Sequence, residues 1–269
     1  MKQNLHTHTT FCDGIDTPEA LIRIALDKGF DSLGFSGHST NPYSTYTHVT
    51  EDTTQAYKKE ILRLKEMYGD QLGIFLGLEV DLCSDTPLEG YDYTIGSVHY
   101  LWFGREAVGF DRSAQAVQEL IDSRFGGNAM AFAEKYYETL ATMPRVGDFD
   151  IIGHFDILTK NIEKIPMFDP EDRTYIGYAT DAMDALRGKI PFFEVNTGAM
   201  ARGYRSDPYP KANLIRELRR RGFGAVISSD CHDGRFLDHG FAEVEALLRE
   251  CGYRERYVLT GEGFVPVAL

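Results

Sequence analysis

The chain of 269 residues is short of paired cysteine, of positive charge and of long apolar runs. Its four cysteines, Cys12, Cys83, Cys231 and Cys251, form no Cys-x-x-Cys pair and do not resemble a disulfide framework. Lys and Arg number 28 against 41 Asp and Glu, a net charge of −13, which argues against nucleic acid or an anionic membrane surface as the main partner. An anionic substrate remains open, because a metal cluster or a few basic side chains can reverse the sign locally. No apolar run is long enough to span a bilayer, and nothing of signal-peptide type precedes the first predicted strand. With the unpaired thiols, this leads to the expectation of a reduced, cytoplasmic compartment. There is no repeat, low-complexity tract or evident linker, so residues 1–269 are expected to form one domain.

What is present is a regular alternation of strand and helix signals. Thr17-Pro18-Glu19 starts a helix that Gly29 stops. Ser32–Ser36 predicts a buried strand running into Gly37-His38-Ser39. A helix is expected from about Asp52 to Tyr68, then strands at Ile74–Leu78 and Tyr93–Ser97. The section from Ser113 to about Met143 predicts two helices broken at Gly126-Gly127. Asp150–Gly153 predicts a strand, and Asp169-Pro170-Glu171 opens a helix through about Leu186. Pro191-Phe192-Phe193 leads into Glu194-Val195-Asn196. Asp207-Pro208 precedes a helix to Arg221, and Ala225–Ser228 is the next strand. A helix at about Phe241–Glu250 and a short Tyr257-Val258-Leu259 strand finish the chain. Such alternation implies a largely parallel sheet with right-handed crossovers.

The polar residues fall at one end of these strands. Two pairs stand out: His6-Thr7-His8 near the start and Asp230-Cys231-His232 near the end. In each, ligand-type side chains sit at i and i+2 and share a face if the segment is extended. His38, Glu79, His99, His154 and Glu194/Asn196 also lie at or just past predicted strand ends. Six of the eight histidines occupy such places. Convergence from seven strands suits an α/β barrel, whose C-terminal face carries the active site, better than an open sheet with one switch point. Burying so many ionisable groups without a metal would be costly. Imidazole and carboxylate without thiolate suit Zn, Mn or Fe. With Asp13 the candidate ligands number nine, too many for one ion, so two or three divalent ions are expected with Glu79 as a bridge. His48 and His239 are expected at the surface, Cys231 in packing, and Cys12 as a small buried side chain.

His6-Thr7-His8 with Asp13, Gly37-His38-Ser39, Gly77-Leu78-Glu79, Gly96-Ser97-Val98-His99, Ile152-Gly153-His154-Phe155-Asp156, Glu194-Val195-Asn196-Thr197 and Ser229-Asp230-Cys231-His232 together resemble the PHP (polymerase and histidinol phosphatase) family. The resemblance runs over essentially the whole chain. It is nearest to the stand-alone members that act on histidinol phosphate in histidine biosynthesis. It implies a distorted (β/α)7 barrel of TIM-like type and a centre of two or three metals. The implied ligands are His6, His8, Asp13, His38, Glu79, His99, His154, Asp230 and His232. Many relatives have His where Asp13 stands, so the third ion is expected to be held differently or more weakly. A basic residue commonly follows the Gly-His-x-Asp element; here it is Lys160, where an Arg would grip phosphate bidentately.

The implied activity is hydrolysis of a small phosphate monoester, with a water bridging two metals attacking phosphorus in line. Glu79, Asp230 and His232 are the expected catalytic residues, the last two guiding a proton to the leaving alkoxide. Lys160, Arg202 and Ser39 are the expected phosphate contacts, with Arg205 and Arg235 weaker candidates. Tyr204, Asp207 and Tyr209 are placed to receive the amine and imidazole of a histidinol phosphate. The alternatives are a PHP phosphoesterase for nucleotides or nucleic-acid ends, which the acidic balance disfavours, and a non-catalytic metal or phosphate sensor. The sequence carries no signal of oligomeric state.

Overall fold

The structure, a computed structural model, describes residues 1–44 and 49–269. His48 therefore lies outside the described residues. In chain order the first six strands are β1 (Gln3–Asn4), β2 (Ser32–Phe35), β3 (Gly73–Asp81), β4 (Tyr93–Ser97), β5 (Tyr100–Phe103) and β6 (Glu106–Gly109). They are followed by β7 (Ile151–Ile152), β8 (Phe192–Asn196), β9 (Gly224–Ser228), β10 (Glu255–Thr260) and β11 (Gly263–Ala268). Seven of them pair in parallel in the order β1-β2-β3-β4-β7-β8-β9. The two edges then meet: Thr7 and Cys231 form a parallel bridge, His8 N–H donates to Cys231 O at 2.8 Å, and Cys231 N–H donates to His6 O at 3.0 Å. The result is the expected nearly closed (β/α)7 barrel.

The helices are α1 (Pro18–Asp27), α2 (Glu51–Tyr68), α3 (Ala114–Phe125), α4 (Ala129–Leu140), α5 (Arg173–Leu186), α6 (Gly198–Ala201), α7 (Ala212–Arg220) and α8 (Phe241–Glu250). Their starts follow local chemistry. Thr17 Oγ1 accepts from Ala20 N–H at 3.2 Å with Pro18 behind it, and Asn128 Oδ1 accepts from Met130 and Ala131 N–H at 3.1 and 3.2 Å. Two starts fall later than the sequence pattern suggests. Asp169 turns its carboxylate onto Glu171 N–H at 2.9 Å, making a turn, and the cap of α5 is Asp172, bonded to Thr174 N–H at 2.7 Å. Residue 209 is held by main-chain bonds to Asn196 (2.7 and 2.9 Å), so α7 begins only at Ala212.

Inside the barrel, Leu5, Tyr93, Ile95, Ile151 and Val226 pack together with Leu259 of β10. The β10–β11 hairpin covers this N-terminal end with Tyr257 and Phe264, although only residues 257–259 of it were expected as a strand. The Tyr93 ring occupies space that Gly34 and Gly77 leave open, and its hydroxyl donates to Leu5 O. A Cβ on Gly77 would lie 2.2 Å from Tyr93 Cζ. Gly77→Ala is therefore expected to cost about 3 kcal/mol in a urea unfolding titration, the upper end of ordinary overpacking. An unchanged midpoint would mean that the ring has somewhere else to go.

Candidate metal centre

Each candidate ligand but Asp13 stands at the C-terminal end of a barrel strand or just beyond it; Asp13 lies in the turn between β1 and α1. His6 and His8 lie on the extended continuation of β1, and alternation points both inward while Thr7 bonds to β2 through Ser36 (Thr7 N–H to Ser36 Oγ, 3.1 Å; Ser36 N–H to Thr7 O, 3.0 Å). His38 follows β2 and bridges to Glu79 of β3. His99 follows β4, His154 follows β7, and Asp230 and His232 follow β9. Among the described residues Asp230 is the one non-glycine with positive φ, 47°, a conformation that Asp tolerates better than most and that turns its carboxylate back towards His8.

Glu79 is the hub. It is 1% exposed. Its Oε2 lies 3.4 Å from His6 Nε2, 3.5 Å from His8 Nε2 and 2.9 Å from His38 Nδ1. Its Oε1 lies 2.9 Å from His154 Nε2 and 3.7 Å from His99 Nε2, and accepts from Ser97 Oγ at 2.7 Å. Asp230 Oδ1 joins the two ends of the chain, 3.2 Å from His8 Nε2 and 3.4 Å from His232 Nδ1. Asp13 reaches His8, His38 and His232 at 3.5, 3.4 and 3.3 Å. Eight of the nine candidates thus converge in three overlapping groups: His8, Asp13, His38 and His232; His6, His8 and Glu79; Glu79, His99 and His154; the ninth, Asp230, adjoins them through His6, His8 and His232. Within each, the potential ligand atoms lie within 4.8 Å of one another. Glu79 and His8 are each shared by two groups.

The electrostatics of the site follow from this crowding. Burial, together with the His232 and His38 imidazoles, depresses His8 to about 3. Burial would also depress His6, but Glu194, Glu79 and Asp230 outweigh it and hold that imidazole well above its usual value. At His38 burial is likewise outweighed, by Asp13 and Glu79. At Glu79, burial would push the carboxyl up, and His6 and His38 instead hold it well below the carboxylate range. His6 Nε2 and His8 Nε2 are buried without a hydrogen-bond partner. Two orphaned imidazole nitrogens aimed at carboxylates fit a metal better than they fit a hydrogen-bonded core.

The centre forms the floor of a cavity of about 320 Å³ lined also by Ser39, Asn41, Asp81, Tyr100, Asp111, Ile157, Lys160, Arg202 and Tyr204. Lys160 Nζ donates to Asp111 Oδ1 at 2.6 Å, and Arg202 reaches Asp230 Oδ2 at 3.0 Å and His232 Nδ1 at 2.9 Å. Ser39 Oγ accepts from Asp81 N–H at 3.3 Å. The weaker basic candidates do not reach the cavity. Arg205 is buried against Asp156 and Asp207, and Arg235 is an exposed partner of Asp233. Of the substrate-facing candidates, Tyr204 lines the cavity, Asp207 is taken by Arg205, and Tyr209 is buried beside His154. His239 joins no ligand group. Cys231 faces away into packing, whereas Cys12 Sγ lies 3.5 Å from His8 Nδ1.

Two carboxylates hold candidate ligands in place: Asp81, which sequence reasoning missed, and Glu194, which it placed at a strand end without giving it a role. Asp81 Oδ2 accepts from both His99 N–H and Nδ1 at 3.0 Å, and Glu194 Oε2 accepts from His6 Nδ1 at 2.8 Å. For Asp81 the signal was its place two residues after Glu79, on the same face of β3.

A family model described as PHP domain matches residues 4–198. The chain belongs to the PHP family. Across 260 residues this PHP chain is 30% identical to a Deinococcus radiodurans protein named "Probable histidinol-phosphatase", covering 93% of each. It is 29% identical over 275 residues to the histidinol-phosphatase of Bacillus subtilis, covering 93% of this chain and 99% of the other. A crystal structure of the Lactococcus lactis histidinol phosphate phosphatase with zinc, L-histidinol and phosphate has the same fold. Its TM-score is 0.73 at 17% identity, with 98% of each chain covered. No helix among the described residues is long and apolar enough to cross a membrane.

Proposed function

We propose that this PHP protein is a metal-dependent phosphatase that hydrolyses L-histidinol phosphate to L-histidinol and phosphate. The observation that carries the reading is a set of imidazoles and carboxylates joined through Glu79 at the floor of a cavity whose walls hold Lys160 and Arg202. Full-length relatives named for this activity support it. The nine side chains would hold two or three ions of zinc, manganese or iron, which supply Lewis acidity and a nucleophilic water near neutral pH. The chain's own residues then do the rest. Arg202 and Lys160 line the cavity, anchored on Asp230 and Asp111, and would orient the phosphoryl oxygens, with Ser39 on the same lining. Asp230 and His232 stand at the same wall and can pass a proton through water to the leaving alkoxide. Tyr100, Ile157 and Tyr204 offer apolar surface to an imidazole, and the acidic Asp81 and Asp111 favour an amine. A volume of about 320 Å³ fits a small monoester.

The test is phosphate release from L-histidinol phosphate, nucleoside monophosphates and p-nitrophenyl phosphate with manganese or zinc. A clear preference for the first is expected; preference for a nucleotide would sink the substrate assignment, and no turnover of any would favour a sensor. Arg202→Ala is expected to lower kcat/KM roughly 100-fold, as for other donors aimed at developing oxyanion charge. Arg202→Lys should recover only part, since it loses the fork geometry. A change of less than threefold in Arg202→Ala would leave the guanidinium a mere partner of Asp230.

A further inference from the structure

We propose that Glu194 is a positioning residue that couples two of the three metal groups, setting the ring of His6 in one and the main chain of His154 in the other. The inference rests on the reading of the three groups as a metal centre. Glu194 lies in β8, is fully buried and uses both oxygens twice. Oε2 accepts from His6 Nδ1 at 2.8 Å and from Ser228 Oγ at 2.6 Å. Oε1 accepts from His154 N–H at 2.7 Å and from Asn196 Nδ2 at 2.8 Å. An ionised carboxylate can only accept, so its four bonds saturate it and leave no oxygen free to ligate an ion. That separates Glu194 from Glu79, whose oxygens face five imidazoles.

The consequence for His6 is a fixed tautomer. With the proton at Nδ1 held by Glu194, the lone pair available to a metal is the one on Nε2, which lies 3.4 Å from Glu79 Oε2 and 3.7 Å from Asp230 Oδ1. The consequence for His154 is a fixed backbone. Its N–H is anchored on the same carboxylate, and its Nε2 lies 2.9 Å from Glu79 Oε1. Four of the seven barrel strands, β1, β7, β8 and β9, are thereby tied at one point below the centre. Asp81 is the useful contrast: of the candidate ligands it holds His99 alone, which belongs to a single group.

Glu194→Gln keeps the shape but can present an amide N–H to His6 Nδ1, which forces the lone pair to the wrong side. The experiment compares wild type, Glu194→Gln, Ser228→Ala and Asp81→Asn for zinc affinity by chelator competition and for zinc content at buffered free zinc. The thermal midpoint of each chelated protein is measured alongside. Glu194→Gln is expected to weaken binding about 10- to 100-fold for two ions, as outer-shell carboxylates generally do. Asp81→Asn should weaken one. Ser228→Ala removes a single donor from Oε2 and should weaken binding about threefold in the same direction, as the milder change of the two. The proposal is overturned if Glu194→Gln binds zinc like wild type or weakens only one ion, as Asp81→Asn does. Should Glu194→Gln fail to fold, an undiminished affinity in Ser228→Ala overturns it. If wild type itself takes up no zinc, the metal-centre reading fails and this inference with it, an outcome distinct from the others.

Discussion

Replacing Glu79 with alanine is expected to strip the protein of metal and of turnover in one step. Five imidazoles lie within 3.7 Å of its two oxygens, and it belongs to two of the three ligand groups. No neighbouring carboxylate can take its place. Asp13 faces the other nitrogen of His8, Asp230 shares the Nε2 side of His6 and His8 but is paired with Arg202, Asp81 is held by His99 and Cys83, and Glu194 is saturated. Losing several kcal/mol of charge stabilisation corresponds to a fall in kcat of at least about 10⁴-fold. Metal content by mass spectrometry and initial rates on histidinol phosphate should collapse together. The same holds for His8→Ala, because His8 is the other shared ligand. A metal-free Glu79→Ala protein with wild-type turnover would remove the basis of the hydrolase reading.

The barrel was legible because its strands end in residues that do not belong in a core. Each run such as Ser32–Phe35 or residues 225–228 is buried along its length and then delivers a His, Asp or Glu. An apolar strand followed by an ionisable residue, repeated seven times, has one physical solution, a common mouth. The spacing of His6/His8 and Asp230/His232 needed only the alternation of extended chain to be read, and the two pairs do meet at 3.2 Å. The helix cap at Thr17 was readable for the same reason: a side-chain oxygen before an amphipathic run has few other uses.

The connection after His99 was not read, although its signal was there. Tyr100–Phe103 and Glu106–Gly109 pair as an antiparallel hairpin around Gly104-Arg105, with Gly104 at φ 67°. Two short runs separated by Gly and one further residue are a known hairpin pattern, and this hairpin supplies Tyr100 and Gly109 to the cavity wall. The division of labour among the carboxylates was harder. Glu79 and Glu194 both stand in barrel strands, so no local pattern tells which faces the centre and which braces a histidine from behind. That depends on what lies across the barrel: Ser228 and Asn196 surround Glu194 with donors, whereas Glu79 is surrounded by imidazoles. Charge told less than geometry. The overall balance is acidic, yet Lys160 and Arg202 face the same cavity.

Loading with metal should release protons, and its stabilising effect should grow as pH rises. His6 and His38 are held well above the usual histidine value, so without metal they carry a proton near neutral pH. A metal ligand must give that proton up. His8, held near 3, is already neutral and contributes no proton. Each displaced proton makes the apparent affinity about tenfold higher per pH unit while the group remains protonated in the metal-free protein. The sign for the chelated protein is the opposite. A raised folded pKa contributes stability that is complete below the unfolded value of about 6.5 and is lost as pH rises through the folded one. The gap in thermal midpoint between loaded and chelated protein should therefore widen from pH 6 to pH 9. At an ion concentration 100 times the dissociation constant, each ion adds about 2.7 kcal/mol, or roughly 5–10 °C for a chain of this size. Differential scanning calorimetry at several pH values reads the gap, and zinc titration in buffers of different ionisation enthalpy counts the protons. A gap that narrows with pH, or zinc uptake without proton release, would show that His6 and His38 are not the groups the ions displace protons from.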